Sequence, residues 1–554
     1  MHALHEAGKG RGCDIVVANL TRFGDLLQSQ PLFEDLHDSG FRVGLLCLEN
    51  FAPALPLLRH VDAAWSLPGA SLMALLDKDW REAASRLFSL ADGIRREGAP
   101  RCVINLTATL SARLLAKLIA PSHEAILGFG VDGEGFGVNR GIWSTFLCGT
   151  TLCRQNAPFN IADMFRMVAA PLLPPEIINR PGVFTLASPE GEALEHAGRL
   201  LEAPARLPGA RRPSGYIAMQ LGASAERRQW PAAHFAALGD MLWEKAELCP
   251  VLLGAPAEHE LGNAYAKLAG GPYVNAIGKT DIPQLAALLT QCRLLVTNDT
   301  GTMHLAAGLG LPCLAFFLAT AQPWDTGPYI ENSLCLEPAL ACHPCPFGQA
   351  CPHDGICREQ IAPEAVLGPI LSHLSGAGWE HGVGSDLRRQ ARIWLTGGTD
   401  KGGFAEIKSI SGHEREDRTL WLRRQRRFWR HILDDLDDRP SRTMESASLP
   451  GCSPAFLEQV LPVLSQAARV FGMLGEQGRI IDKSPMAGQL FLRNCERAQT
   501  LLDGCPQLRS LGYFWRSLRM ELGGRMEDLL RLVDTLTAHL NRLAVDLASG
   551  TDIA

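Results

Sequence analysis

Short apolar runs that alternate with helix-patterned stretches constrain this chain more than any other feature. From Asp14 the run IVVANL is followed by a glycine turn, a helix-like LLQSQPLFEDLHDSG and a second apolar run, FRVGLLCL. A strand buried on both faces reads as a continuous apolar run, and a helix between two such runs is the crossover that a parallel sheet needs. The pattern therefore predicts βαβ units. It returns at Arg101–Ala120, where RCVINLT leads into SARLLAKLIA. A second series opens at Gly215 with YIAMQLGAS, passes through a helix around His234–Lys245 and the strand CPVLLG, and repeats through LLVTND and LPCLAFF. The expected fold class is α/β, in two successive open domains at 12–190 and 213–375, with the boundary inside the proline- and arginine-rich stretch Pro171–Arg212.

After Gly376 the alternation stops. Residues 376–414 read as a glycine-rich, charged linker, and 415–554 as an appended helical domain, because apolar residues there recur at helical spacing in PAFLEQVLPVLSQAARVFGMLG and MEDLLRLVDTLTAHLNRLAVDLAS. The chain has 554 residues, enough for several domains, and 46% hydrophobic with 20% charged residues is a globular balance that excludes whole-chain disorder. A net charge of −6 argues against nucleic acid as the main partner. The first twenty residues lack the apolar core of a secretory signal, so a cytoplasmic protein is expected. The uncharged stretch Leu305–Pro323 contains Gly308, Gly310 and Pro312 and is read as a buried helix followed by a buried strand.

Two nucleotide-binding motifs are decoys. Gly128, Gly130 and Gly133 satisfy GxGxxG, but more glycine follows them and no helix; Gly278, Lys279 and Thr280 end like a P-loop whose first glycine position is Tyr273. Four other segments carry stronger signals. In NLTRFGDLLQSQ a buried strand ends at Gly24 and Asp25, and an acid there lies in the crevice where open α/β sheets bind substrates, or else only caps the helix. In VTNDTGTMHLAAGLG, Asp299, Thr300 and Gly301 turn into a helix whose free N–H groups and positive dipole end suit an anion, with His304 on its first turn; a plain N-cap is the alternative. In LGASAERRQWPAAHF, Ser224 and Arg228 follow a strand end with donors for a diphosphate. In LLGAPAEHE, Glu258 is an acceptor for ribose hydroxyls or a helix-start acid.

Together, FGD, RRQWP, LLGAP and NDTGTMHLAAGLGLPCLAFF resemble glycosyltransferase family 9, the ADP-heptose:lipopolysaccharide heptosyltransferases, over about residues 14–365. The resemblance implies the GT-B architecture, two Rossmann-like domains facing across a cleft, the first binding the acceptor and the second the nucleotide-sugar donor. It implies Asp25 as catalytic base, Ser224 and Arg228 as diphosphate contacts (Arg228 where the family commonly has lysine), Glu258 at the ribose, and Asp299, Thr300, Gly301 and His304 at the donor. The implied reaction is inverting, metal-independent transfer of heptose or a similar sugar from an ADP-sugar to a lipopolysaccharide core or related glycan. A protein acceptor is the nearest rival, and a non-catalytic nucleotide-sugar-binding scaffold is the alternative of another class.

Two features remain. CHPCPFGQACPHDGIC gathers Cys342, Cys345, Cys351 and Cys357 into an insert at 335–357, four thiols able to surround one tetrahedral zinc or iron, with a metal-free reduced cluster as the alternative. WLRRQRRFWRHILDDLDD, Trp421–Asp438, has a basic start and an acidic end, and reads as a solvated helix face or as a peripheral contact with an anionic inner-membrane surface.

Overall fold

The computed structural model describes residues 12–202, 204–206, 212–439 and 449–549. They divide into two compact units, Met1–Gly135 with Asn160–Gly412, and Phe136–Phe159 with His413–Ala554.

The first unit holds both sheets. The parallel strands of the first are β1 (Ile15–Asn19), β2 (Val43–Leu48), β3 (Ala63–Leu67), β4 (Cys102–Asn105) and β5 (Ile126–Val131), in the order β3-β2-β1-β4-β5. A sixth short strand, β6 (Gly137–Arg140), falls within the second unit's residues. The other sheet contains β7 (Gly215–Gln220), β8 (Leu248–Leu253), β9 (Val274–Asn275), β10 (Leu294–Asn298), β11 (Cys313–Phe316), β12 (Leu334–Pro338), β13 (Ala391–Thr399) and β14 (Ala405–Ser409), in the order β14-β13-β12-β11-β10-β7-β8-β9. Strands β1, β4, β5, β8 and β10 are buried at every residue, as helical crossovers on both faces require. Each buried Val, Leu or Ile contributes about 1.5–3 kcal/mol, and this sets the apolar character of the runs.

Strand order also locates the crevices. In the first sheet the chain moves outward from β1 to β3, then returns to β4 on the other side of β1; in the second it moves from β7 to β9, then returns to β10 beside β7. The loops after β1, β7 and β10 therefore lie at the points where strand order reverses, the places at which open α/β sheets leave room for ligands. The expected two-lobed α/β architecture is the one observed.

The linker expected at 376–414 is corrected. A helix at Ser385–Gln390 leads into β13 and β14, which extend the second sheet as antiparallel strands beside β12. The glycines that suggested a linker serve this hairpin: Gly397, Gly398 and Gly403 have positive φ, and the register shifts between Thr396 and Thr399. Trp394 in β13 is fully buried and donates its indole N–H to Glu337 Oε2 at 2.7 Å. At the start of β14, Ala405 N donates to Asp163 Oδ2 (2.9 Å), while Asp163 Oδ1 accepts from Tyr329 Oη (2.6 Å) and Arg166 Nη1 (3.4 Å). Arg166 also donates to Asp35 at 2.6 Å. This buried network ties the end of the second sheet to helices following the first.

Two further expectations change in the second unit. Residues 136–159, expected inside the first domain, cluster with the helical segment. The helix Ile142–Leu152 packs there, with Phe146 and Trp429 ring centroids 4.8 Å apart and Asn156 Nδ2 donating to Pro506 O at 2.7 Å. The stretch Trp421–Asp438 falls mostly in the helix Asp417–Leu436, which is neither a solvated face nor a basic surface for a membrane: Trp421, Arg424, Arg426, Phe428, Trp429, Arg430 and Asp434 are buried. Its charges are matched inside the unit. Arg424 pairs with Asp546 at 2.9 Å and Arg430 with Asp434 at 3.0 Å, as buried ions must be. No helix among the described residues is long and apolar enough to cross a membrane.

Candidate active site

The helix Phe23–Leu27 begins immediately beyond β1, and its second and third residues are Gly24 and Asp25. Asn19, the buried last residue of β1, fixes this turn: its Nδ2 donates to Asp25 O (3.1 Å) and to Ser29 Oγ (2.8 Å). The carbonyl of Asp25 is thus anchored, and its half-buried side chain lies at the crevice end of the sheet.

Beyond β10 the same device recurs. Asn298, again the buried last residue of its strand, donates Nδ2 to Leu221 O (3.0 Å) and Gly222 O (3.2 Å) and accepts from Trp230 N (2.8 Å). It staples the loop after β7 to the loop after β10. The helix Gly301–Gly308 then starts from Thr300, whose backbone is extended and whose side chain makes no capping bond. Met303 N donates to Thr300 O (3.1 Å), and with no side-chain cap the start of the helix and the positive end of its dipole favour an anion.

Ser224, Arg228 and Asp299 are brought together. Arg228 is buried and donates Nη1 to Ser224 Oγ (2.9 Å) and Nη2 to Asp299 Oδ2, while its buried Nε has no partner among the described residues. Asp299 holds the guanidinium in place and neutralises part of its charge. The diphosphate contacts inferred from sequence thus form one cluster, though Asp299 faces Arg228 and orients it.

Glu258 accepts at Oε2 from Ala255 N (2.7 Å) and Gln220 Nε2 (3.4 Å), and Gln220 Oε1 accepts from Thr302 Oγ1 (3.1 Å). A hydrogen-bonded line therefore runs from the first turn of the Gly301 helix to the Glu258 carboxylate. A Cβ on Gly222 would collide with that carboxylate, so the glycine is what admits it. Sequence reasoning missed Asn19, Asn298, Gln220, Thr302 and Gly222. The available signal was asparagine as the last residue of both β1 and β10.

The two lobes meet at this point. A Cβ on Gly24 would lie 2.8 Å from His304 Cδ2 and 3.4 Å from Gly301 Cα; one on Gly301 would lie 2.5 Å from Phe23 Cδ1 and 3.3 Å from Gly24 N. Backbone meets backbone, and the turn carrying Asp25 abuts the uncapped helix start. His304 is 3% exposed beneath it, and its Nδ1 has no partner among the described residues. Burial pushes its pKa down to about 4, against the opposing pull of Asp299, so the ring is neutral at pH 7.

For Cys342, Cys345, Cys351 and Cys357 the sequence left two readings open, a zinc or iron site and a metal-free reduced cluster. Four thiols suit a soft ion chemically, and the neighbouring thiols add to the upward shift that burial gives Cys345. Yet among the described residues no three or more His, Cys, Asp or Glu side chains form a group able to hold a metal ion. Within the segment, Cys345 N donates to Ala319 O (2.7 Å), Cys351 Sγ accepts from Gly355 N (3.4 Å) and Cys357 is buried in its own short turn.

Residues 186–355 match the family model described as glycosyltransferase family 9 (heptosyltransferase). The chain is 28% identical over 155 residues to lipopolysaccharide heptosyltransferase 2 of Salmonella typhimurium, covering 27% of this chain and 44% of that protein. It is 30% identical over 149 residues to lipooligosaccharide heptosyltransferase 2 of Campylobacter jejuni, covering 25% of this chain and 44% of that one. The chain thus spans less than half the length of these relatives in the matched stretches. Among solved structures, Escherichia coli ADP-heptose LPS heptosyltransferase II is similar with a TM-score of 0.46 and 19% identity, covering 66% of this chain and 99% of that one. Residues 186–355 are thus similar to glycosyltransferase family 9, the heptosyltransferase family.

Proposed function

We propose that this chain is an inverting, metal-independent glycosyltransferase acting in the cytoplasm, which moves heptose or a similar sugar from an ADP-linked donor to a lipopolysaccharide core or related glycan. The observation that carries the reading is the approach of Gly24 to Gly301, which sets an acid-bearing turn against an uncapped helix start. Proton acceptor and anion site, the two halves of a displacement reaction, then share one crevice.

In this reaction the acceptor hydroxyl oxygen attacks the anomeric carbon as its proton passes to the Asp25 carboxylate. The bond from that carbon to the diphosphate oxygen breaks, and the electron pair leaves on the nucleoside diphosphate. Attack from the face opposite the leaving group inverts the configuration. A positioned base accelerates such a step by about 10²–10⁴. The leaving charge is met by the N–H groups at Gly301, by Arg228 and by Ser224, a preorganised set that takes the place a divalent ion would otherwise have. Glu258 accepts the ribose hydroxyls, held at the right height by Gln220. Neutral His304 walls the crevice without adding charge.

The test is calorimetric titration with ADP, ADP-heptose, UDP-glucose and NAD, each with and without magnesium. Binding of ADP and ADP-heptose that does not depend on magnesium is expected. Binding of NAD alone, or of none, defeats the reading. Asp25→Asn is expected to keep ADP affinity and to lower turnover by about 10²–10⁴; full turnover in that variant removes Asp25 from the mechanism.

A further inference from the structure

The turn that carries Arg228 is held from outside the crevice as well as from within it. Glu226–Arg228 is a single turn of 3-10 helix, too short to fix its own direction by an internal hydrogen-bond ladder. On the inner side, Asn298 accepts from Trp230 N. On the outer side the fixing bonds come from the end of the cysteine-rich segment. Arg358 Nε donates to Gln229 O and Arg358 Nη1 to Glu226 Oε1, each at 3.0 Å. Arg227 Nη1 donates to Gln349 O (2.9 Å), and Trp230 Nε1 to Ile361 O (2.9 Å). Gln229 and Glu226 flank Arg228 on either side, so one guanidinium spans the residue that the crevice uses.

We propose that Arg358 is a positioning residue for Arg228: its planar fork bridges Glu226 and Gln229 and thereby fixes the direction in which the Arg228 guanidinium meets a nucleoside diphosphate. The inference rests on the reading of Arg228 as a diphosphate contact. A guanidinium suits the task because its donors stand in a rigid geometry, whereas lysine offers a single charge on a flexible stem. The Gln229 carbonyl supplies the stronger arm, a charge-assisted bond to a half-buried group. The Glu226 arm lies in water, with that side chain 81% exposed, and serves orientation more than energy. Arg358 owes its own place to the cysteine-rich fold. It ends the turn Ile356–Arg358, entered through Gly355 at φ +72° with its N–H on Cys351 Sγ, next to buried Cys357. This gives the cysteine-rich segment a task at the donor side that needs no metal ion.

The experiment is titration of the full chain with ADP in a double-mutant cycle, with melting temperatures recorded alongside. Arg358→Ala is expected to weaken ADP binding by about tenfold, the scale of one lost charge-assisted bond. Arg358→Lys should recover only part of that loss. Arg228→Ala is expected to weaken ADP at least as much, and the double variant no further than Arg228→Ala alone, since Arg358 acts only through Arg228. A general loosening of the lobe would instead weaken ADP whether or not Arg228 is present. The proposal is overturned if Arg358→Ala leaves affinity unchanged, if lysine restores it fully, or if the two losses multiply. An Arg228→Ala variant with unchanged ADP affinity overturns the underlying diphosphate reading, a result that can be told apart from the others. Should Arg358→Ala fail to fold, Glu226→Ala at its exposed position replaces it, with an expected loss of about twofold that vanishes in the Arg228→Ala background; an undiminished loss there also defeats the proposal.

Discussion

His304 shows how burial alone can set a group's chemical role. It sits on the first turn of the Gly301 helix, 3% exposed, with a pKa lowered to about 4. The unfolded chain takes up this proton near pH 6.5, the folded chain only near 4, so between those values the unfolded state binds more protons. Stability therefore rises with pH across that window: His304 makes no difference above about pH 6.5, its cost grows as pH falls, and below about pH 4 the cost levels off at roughly 3 kcal/mol. His304→Gln is expected to flatten the pH dependence of the urea midpoint between pH 6.5 and 4 relative to the parent chain; parallel curves would mean that the ring is protonated in the folded state. Single residues were also where the sequence was most and least legible. Asp25, Ser224, Arg228 and Asp299 stand in local patterns at strand ends, so their types and spacing single them out as candidates. Asn298 works through carbonyls at Leu221 and Gly222, and Gln220 through Thr302 and Glu258, partners tens of residues away that no local pattern records.

Between elements, the contact that matters most is that of two short helices meeting at glycines. Gly301→Ala places a methyl group 2.5 Å from Phe23 Cδ1 and 3.3 Å from Gly24 N. The Phe23 ring can turn aside, but the Gly24 backbone has to yield a few tenths of an ångström, carrying Asp25 with it. Turnover is thus expected to fall by up to about tenfold with a melting temperature within a few degrees of the parent, since misplacing a reacting group by one ångström costs about 10²-fold and this shift is a fraction of that; parental turnover in the Gly301→Ala variant would show that this contact does not set the geometry. The same scale explains the misread linker. Strand β13 carries the fully buried Trp394, yet Gly397, Gly398 and Gly403 close by gave it the look of a flexible connector. Glycine in a spacer and glycine in a bulged hairpin are identical in composition; they differ in what lies across the sheet, here β12.

At the scale of the molecule, the helical unit is built from two pieces of chain separated by more than 250 residues, Phe136–Phe159 and His413–Ala554. Charge pattern along the helix Asp417–Leu436 suggested a surface because its partners, Asp546 and the aromatic side chains of the other piece, are remote in sequence. The consequence is that the last quarter of the chain is not a detachable appendage. In the helix Ile142–Leu152, Trp143, Phe146 and Leu147 are buried, and within the unit Phe146 rests on Trp429, while Asn139 N donates to Glu521 Oε1 at 2.9 Å. Ending the chain at Gly412 removes Trp429, Glu521 and Pro506 together and bares an apolar helix whose aromatic side chains each cover about 150–250 Å². Residues 12–412 expressed alone are expected to aggregate on size-exclusion chromatography, and co-expression of residues 413–554 as a separate chain to restore a soluble complex. A soluble, monomeric 12–412 that melts as sharply as the full chain would overturn this account, because the helix Ile142–Leu152 would then have found its cover elsewhere.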